Sequence, residues 1–276
     1  MRQKHKRDIP HSAFPQPESG RVKLWRYLPL AKFLSVLTKR SLPLIRADRL
    51  GDSFEGSVPT QFAKSVLDQF IEEGMEAEDA AIAAGKLNAP LNLSKKQRRD
   101  QLAPQLRTRR LAYLRGSHVS CWSLGGESEA MWRLYCGSDG GVAIVTSYSR
   151  LRKSLAPDPA TRLGLVRYVD YAEGELPDLN FMQPLMHKRS AFEHEHEVRI
   201  VRFLETEVRE LMVPNPKLPV VVRFLDWDVE RVAEKLVVSP YVDQWYFDAV
   251  YESVRKVASR LVSKLSWSKL RADPIY

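Results

Sequence analysis

Alternating glutamates and histidines form the densest group of side chains in this chain that could do chemistry. In the sequence, Glu193, Glu195 and Glu197 alternate with His194 and His196. In a β-strand, this alternation puts the three carboxylates on one face and the two imidazoles on the other. Three carboxylates on one face are costly unless they are solvated, paired or used. The segment therefore predicts either a catalytic Glu-x-Glu pair or a set of structural ion partners.

Arg199 follows Glu197 by two residues in an apolar run, so strand alternation places it on the same face as an ion partner. Glu197 adjoins this run and is expected to lie deeper than Glu195. If the pair is catalytic, Glu197 is the less dispensable carboxylate. If the pair is structural, both glutamates are ion partners of residues such as Arg199.

The histidines of the same region allow a metal site. His194 and His196 share a predicted face and His187 lies close in sequence. Three imidazoles can bind zinc or a similar ion, but no carboxylate or cysteine completes the set at a fixed spacing. A metal-dependent nuclease or hydrolase is therefore our third functional hypothesis, and structural histidines are the alternative.

Arg26 lies between Trp25 and Tyr27 inside a predicted apolar strand. A cation in such a strand needs a carboxylate, a phosphate or an aromatic partner, and Tyr27 adds a surface for stacking. The sequence leaves two interpretations open. Arg26 either pairs with an acidic residue at the edge of the core or binds an anionic ligand.

Other candidate residues have structural interpretations that we favour. Asp52 and Glu55, in the loop GDSFEG, are typical of helix or turn caps. Cys121 is expected to be a core residue, because a strand would point His118, three positions earlier, to the opposite face. The chain lacks the GxGxxG, GxxxxGK[ST], GxSxG and HExxH motifs. Dinucleotide-fold, P-loop, serine-hydrolase and zinc-protease chemistry therefore receive no support.

The elements that must position these residues follow from the hydrophobic pattern. Short strands and helices alternate near the start and again from residue 118, and a helical insertion of three helices is predicted at about 60–116. We expect an α+β fold with a mixed or mainly antiparallel sheet flanked by helices. Residues 1–20 are predicted to be a flexible basic arm, and residues 21–276 a single domain.

Composition restricts the class of protein further. The 276 residues are 44% hydrophobic, and 43 basic against 34 acidic residues give a net charge of +9, which suits an anionic partner. The positive charge is concentrated in residues 1–7, 95–99 and 107–115, so a non-catalytic nucleic-acid or protein binding module is our second hypothesis. The chain has no apolar run long enough for a membrane span and no signal-peptide pattern, which predicts a cytoplasmic protein without a membrane partner. Cys121 and Cys136 are expected to be reduced.

A resemblance to a known family rests on four segments, LWRYLPLAKFLSVL, RADRLGDSFEG, SCWSLGGESEAMWRLYCGSDGGVAI and HKRSAFEHEHEVRIV. With them the chain resembles the large, mostly bacterial domain-of-unknown-function family twenty-nine seventy-one, over roughly residues 21 to 203. The usual loop of that family reads N-D-P-F-E. Here Ser53 replaces the proline, whereas Asp52 and Glu55 remain. This resemblance carries little settled function.

The order of the predicted elements also looks like that of the ADP-ribosyltransferase superfamily. The shared order is an Arg-bearing first strand, a helix, a second strand, an aromatic strand in mid-chain and a late strand beginning at Glu-x-Glu. The similarity implies that the chain consumes NAD and that a single cleft holds the site. It further implies that Glu197 and Glu195 are the catalytic residues. The residues that it implies for binding NAD are Arg26, Tyr27, Trp122 and Tyr135. The Ser-Thr-Ser motif of the arginine-modifying branch is absent, and Ser120-Cys121-Trp122-Ser123 is a loose substitute.

The implied chemistry fits a pair of carboxylates. Cleavage of the bond between nicotinamide and ribose passes through a transition state that resembles an oxocarbenium ion, which a positioned carboxylate stabilises. The resemblance therefore implies an ADP-ribosyltransferase-like bacterial toxin or phage-defence effector with NAD as substrate and no metal. Nucleic acid or a protein would be the acceptor, and an antitoxin or defence protein would be a further partner.

Overall fold

The structure is a computed structural model that describes residues 11–87, 90–91, 93–155, 158–174, 176, 182–213 and 215–272. Its strands are β1 (Lys23–Pro29), β2 (Ser41–Arg46), β3 (Ser117–Leu124), β4 (Gly141–Ser147), β5 (Thr161–Leu165), β6 (Arg167–Val169), β7 (His187–Arg189), β8 (Glu197–Phe203), β9 (Val222–Asp226), β10 (Lys235–Val238) and β11 (Leu265–Trp267). Its α-helices are α1 (Leu30–Lys39), α2 (Thr60–Ala83), α3 (Lys95–Gly116), α4 (Glu129–Cys136), α5 (Tyr148–Ser154), α6 (Glu205–Glu210), α7 (Val229–Val232) and α8 (Gln244–Val257).

The described strands form one large sheet and one small one. The large sheet has the order β11-β10-β4-β1-β3-β2-β9, and β8 joins it through β3 while β5 joins it through β8. Strands β6 and β7 form a separate parallel pair. In the large sheet β10 and β11 are parallel, and the other pairs are antiparallel. The prediction of an α+β fold with a mixed, mainly antiparallel sheet is confirmed.

Strand β3 is the centre of the large sheet, and its two edges are used differently. Strand β8 pairs with one edge along residues 117–123. The other edge is shared, because β1 pairs with Ser123 and Leu124 whereas β2 pairs with His118 and Val119. Between these two contacts β1 and β2 diverge beside residues 120–122. We call this gap the β1–β2 opening.

The two faces of the large sheet are covered by different kinds of side chain. One face, the core face, carries the main apolar cluster, in which Trp122 and Ile144 pack against α1, α5 and α8. The opposite face carries two smaller apolar clusters, one including Trp132 of α4 and the other including Leu114 of α3. Charged side chains lie between these two clusters, so we call this the charged face.

The helical region at about 60–116 contains two described helices, where the sequence predicted three. The stretches predicted as separate helices around 62–71 and 76–86 belong to the single helix α2, because the helix-favouring residues on both sides of Gly74 continue through it. Lys95, Arg98 and Arg99 at the start of α3 form ion pairs with Glu72, Glu78 and Asp68 of α2. Much of the basic run is thus paired within the chain. No described helix is both long enough and apolar enough to cross a membrane.

Residues 11–20 do not fit the prediction of a flexible arm, and residues 1–10 lie outside the described part of the chain. Phe14 is only 3% exposed, and a side chain at Gly164 would come within 2.8 Å of its Cα. The carbonyl of Pro15 accepts a hydrogen bond from the amide of Leu165 at 2.8 Å. The segment lacks apolar periodicity because it packs beside β5 as turns and irregular backbone, with Ala13 and Phe14 buried.

Replacing Phe14 by alanine should lower the free energy of unfolding by about 3–5 kcal/mol, because a buried aromatic ring is lost and a cavity remains. Urea denaturation measures the change. Glu18→Ala is the control, since Glu18 is exposed in the same segment and its loss should change stability by less than about 0.5 kcal/mol. Equal effects of the two substitutions would show that the segment does not pack on the sheet.

His118 should make the stability of the fold depend on pH. Its side chain is fully buried, and its Nε2 donates to the carbonyl of Val220 at 2.8 Å. Burial lowers the pKa of the imidazole below 6.5, and the positive charges of Arg223 and Arg202 lower it further. The folded chain therefore keeps His118 neutral, whereas the unfolded chain protonates it below about pH 6.5. The free energy of unfolding should fall as the pH drops through this range.

The variant His118→Gln, whose amide can still donate to Val220, should lose this part of the pH dependence. Denaturation at about pH 7.5 and about pH 5.5 measures the difference in both proteins. An equally large acid loss in wild type and variant would mean that another group causes it.

Candidate active site

A pocket lies on the charged face beside the β1–β2 opening. It encloses about 260 Å³, part of it open to solvent. Its lining consists of Trp25, Arg26, Tyr27, Cys121, Trp122, Ser123, Met131, Tyr135, Glu195 and Glu197. The structure thus brings all six residues of the predicted site to one pocket, from β1, β3, α4, the start of β8 and the segment just before β8.

Strand register divides these residues between the two faces of the sheet. Trp25 pairs with Ser123, and Ser123 pairs with Glu197, so all three face the charged side. Arg26 is one residue further along and points to the core face, where its Cζ lies 5.6 Å from the ring centre of Trp122. The resemblance implied one cleft shared by Arg26 and Glu197, but the two side chains leave the sheet on opposite faces. Both line the pocket because the sheet is interrupted at the β1–β2 opening.

Arg26 reaches across this opening. Its Nη2 donates to the carbonyl of Pro43 in β2 at 3.1 Å, whereas its buried Nη1 has no hydrogen-bond partner among the described residues. Burial lowers the pKa of Arg26 to about 10. No carboxylate in the described part of the chain forms an ion pair with it, so the interpretation of an acid-paired arginine is not supported. Arg26 retains a donor for a ligand.

The sequence predicted a strand across residues 193–196, but the chain does not form one there. Residues Ser190–Glu195 form a 3-10 helix, His196 has a left-handed backbone with φ 41°, and β8 starts at Glu197. Glu193, His194 and His196 are therefore exposed, and the three carboxylates do not share a face. The turn at His196 nevertheless brings Glu195 and Glu197 to the same cation.

Five charged residues, Glu55, Lys188, Glu195, Glu197 and Arg199, form a buried network that we call the charged cluster. Arg199 binds both oxygens of Glu197, with Nε to Oε1 at 2.7 Å and Nη2 to Oε2 at 3.0 Å. It also binds both oxygens of Glu55, at 2.9 and 3.1 Å. The prediction that Arg199 is the ion partner of Glu197 is confirmed.

Lys188 is the second cation of the charged cluster. Its Nζ lies 2.7 Å from Oε2 of Glu195, 3.4 Å from Oε2 of Glu197 and 3.9 Å from Oε1 of Glu55. The parallel pair of β6 and β7 fixes its position, because Lys188 lies opposite Tyr168 there. With three carboxylates and two cations, the cluster carries one excess negative charge next to the pocket.

Glu197, Lys188 and Arg199 of the charged cluster hold one another in the ionised form. Burial would raise the pKa of Glu197, but Arg199 and Lys188 outweigh it and lower the pKa to about 2. Burial would lower the pKa of Lys188, but Glu197 and Glu195 raise it above its ordinary value. Burial and the charge of Glu197 raise the pKa of Cys121, which is therefore a thiol and not a thiolate nucleophile.

Glu195 is better placed than Glu197 to act on a ligand. Both oxygens of Glu197 are held by Arg199, and its amide donates to the hydroxyl of Tyr168 at 2.7 Å. The hydrogen bonds of Glu195 to described residues are made by one oxygen, Oε2, which accepts from Lys188 and, at 3.4 Å, from the hydroxyl of Tyr135. The side chain of Glu197 is the deeper of the two, as predicted, with 2% exposed against 6% for Glu195.

Sequence reasoning missed the part that Lys188 and the 51–56 loop play in this site. Asp52 does cap the turn, with Oδ1 accepting from the amide of Phe54 at 3.1 Å, but it also binds Arg189 through both oxygens. Glu55 was predicted as a cap and instead binds Arg199. The signal was present in the sequence, since buried glutamates need cations and the basic segment HKR lies just before them.

The histidines do not form the predicted metal set. His187 is buried, and its Nδ1 lies 2.6 Å from the carbonyl of Gln183, whereas His194 and His196 are exposed. Within the described ranges no three His, Cys, Asp or Glu side chains are grouped so that they could hold a metal ion.

Compared with protein-family models, with curated proteins and with solved structures, the chain matches none of them. The resemblances drawn from the sequence segments therefore remain predictions, and functional inference rests on the geometry of the pocket and the charged cluster.

Proposed function

We propose that the chain is an ADP-ribosyltransferase-like enzyme that cleaves the bond between nicotinamide and ribose of NAD in the pocket beside the β1–β2 opening. The observation that carries the proposal is the position of Glu195 in an aromatic-lined pocket next to a cluster with one excess negative charge. Positive charge develops on the ribose as this bond breaks. A carboxylate held beside that carbon stabilises the charge more than it stabilises the ground state.

The lining of the pocket suits a planar cationic ring. Trp25 and Tyr27 stack with ring centres 5.9 Å apart, and Tyr135 lies beside Glu195. Aromatic faces attract a pyridinium ring through stacking and cation–π interaction. The pocket leaves only about 20 Å³ for the centre of a water-sized sphere, which is room for about one water molecule. The nicotinamide end of NAD would therefore enter only if the side chains beside the β1–β2 opening moved apart. The buried Nη1 of Arg26 would bind phosphate oxygens once the β1–β2 opening widened to admit them.

The proposed reaction gives the two glutamates different roles. The bond between C1 of ribose and the ring nitrogen breaks, and its electron pair leaves with neutral nicotinamide. A hydroxyl of the acceptor or of water then forms the new bond to C1, and its proton passes to Glu195. Glu197, held by Arg199, is a positioning residue that keeps Lys188 and Glu195 in place. This reverses the order of importance that the sequence predicted for the pair.

The acceptor and the cellular role are also proposals. The net charge of +9 suits a nucleic-acid acceptor, and a protein acceptor is the alternative. A cytoplasmic toxin or phage-defence effector would use such a reaction, with an antitoxin or defence protein as partner. The competing hypothesis of a non-catalytic binding module receives less support, because Lys95, Arg98 and Arg99 are engaged by α2.

Incubation with NAD labelled in the adenylate half, in the presence of cell lysate, tests the proposal. We expect label on a macromolecule, release of nicotinamide and a higher melting temperature with NAD. Absence of all three would reject the enzyme. Nucleic-acid binding that weakens steeply with salt and survives Glu195→Gln, in a protein that leaves NAD intact, would favour the binding module.

A further inference from the structure

Strand β9 leaves one edge of the large sheet open. It pairs with β2 on one side and ends the strand order on the other, where no described residue pairs with it. The carbonyl of Val221 and the amide of Trp227 both bond to the β2 side. Because backbone groups alternate along a strand, the N–H and C=O groups of Val222, Phe224 and Asp226 point outward. This edge can accept another strand.

The side chains along this edge are apolar and exposed. Val222 is 40% and Phe224 is 44% exposed on the charged face. The segment before them adds three more exposed apolar side chains, those of Leu218, Val220 and Val221. Edge strands usually avoid pairing by means of inward charges, proline or a bulge. Here Arg223 and Asp226 are the charged residues of β9, and the exposed apolar strip that Val222 and Phe224 extend marks an interaction site.

The outer edge of β5, unlike that of β9, is covered by another segment of the chain, and this difference supports the interpretation. The chain covers β5 with its own segment, since the carbonyl of Pro15 accepts from Leu165 and the side-chain amide of Gln16 donates to the carbonyl of Leu163 at 2.9 Å. In the described part of the chain no equivalent segment covers β9. The β5 edge is thus closed from within, whereas no described residue closes the β9 edge.

We propose that the outer edge of β9 binds an extended segment of another protein, in which apolar and acidic side chains alternate. On the charged face its apolar residues would pack on Val222 and Phe224. On the other face its acidic residues would lie next to Arg223, whose side chain is 29% exposed and which already binds Glu207 through Nη2 at 3.2 Å. Lys39, with Nζ 4.3 Å from the ring centre of Phe224, adds positive charge.

Charge favours an acidic partner over a second copy of this chain. Two copies, each with a net charge of +9, would bring like charges together, whereas an acidic strand would be attracted to the edge. The added main-chain hydrogen bonds would supply affinity, and the alternating side chains would supply specificity. This proposal does not depend on the proposed enzymatic activity.

Amide hydrogen exchange of the full chain, with a synthetic peptide of alternating Val and Glu, tests the proposal. We expect exchange at the amides of Val222, Phe224 and Asp226 to slow at least about tenfold with peptide in excess. A matched peptide of alternating Val and Lys should leave these amides unchanged. Absence of slowing, or equal slowing by both peptides, would overturn the proposal.

Two variants separate edge pairing from general destabilisation. Phe224→Pro removes an N–H group that points outward, and it leaves the hydrogen bonds between β9 and β2 in place. It should therefore abolish the slowing of amide exchange by the peptide while the fold is retained. Phe224→Lys keeps the N–H but adds a charge, and it should weaken binding of the peptide at least about tenfold if the proline variant does not fold. Self-association of the wild-type chain that Phe224→Lys abolishes would replace the proposed partner with a second copy.

Discussion

Replacement of Arg199 by methionine should lower the free energy of unfolding by about 3–5 kcal/mol. The substitution keeps a long apolar side chain but removes the guanidinium that binds Glu55 and Glu197 through both oxygens of each. Lys188 alone would then face three buried carboxylates. Leaving buried charges without partners costs far more than the net value of a solvated ion pair.

Urea denaturation of Arg199→Met measures this loss, and Arg209→Met is its matched control. Arg209 pairs with Glu205 on the surface, with 73% and 66% of the two side chains exposed. Its replacement should change the free energy of unfolding by less than about 1 kcal/mol. If both variants lose the same small amount, the charged cluster does not stabilise the fold in the way its geometry indicates.

Replacement of Glu195 by glutamine should reduce turnover of NAD by about 100- to 10,000-fold. The amide keeps the shape and still accepts from Lys188, but it removes the negative charge beside the ribose and cannot take the proton of the acceptor. The loss should appear in kcat with KM nearly unchanged, because the charge acts mainly in the transition state. Glu193→Gln is the control, since Glu193 is two residues away and exposed.

The same measurements on Glu197→Gln test the division of roles between the two glutamates. We expect this variant to lose stability, because Arg199 and Lys188 would each lose a charged partner. A folded Glu197→Gln without activity, together with an active Glu195→Gln, would restore Glu197 as the reacting carboxylate. The proposed reaction would then stand with its two glutamates exchanged.

The parts of this site that the sequence predicted correctly depend on the alternation of side chains along a strand. Alternation along β8 placed Arg199 beside Glu197, because residues two apart on a strand share a face. The same rule gave the wrong result between residues 193 and 196. There the left-handed backbone at His196, which is uncommon for a residue other than glycine, ends the 3-10 helix just before β8 begins.

Long-range partners could not be predicted in the same way. Glu55 lies 144 residues from Arg199 in sequence, and only the pairing of β2, β3 and β8 brings them together. The position of Arg26 shows the same limit. Its strand was predicted, but the face on which it lies depends on the register of β1 with β3 and on the opening between β1 and β2.

Release of free nicotinamide from NAD, measured by chromatography on purified protein, tests the central claim most directly. Wild type and Glu193→Gln should release nicotinamide at equal rates, and Glu195→Gln should do so at least about 100-fold more slowly while it remains folded. Release by wild type and Glu195→Gln at the same rate, or no release by wild type with NAD and lysate present, would contradict the account.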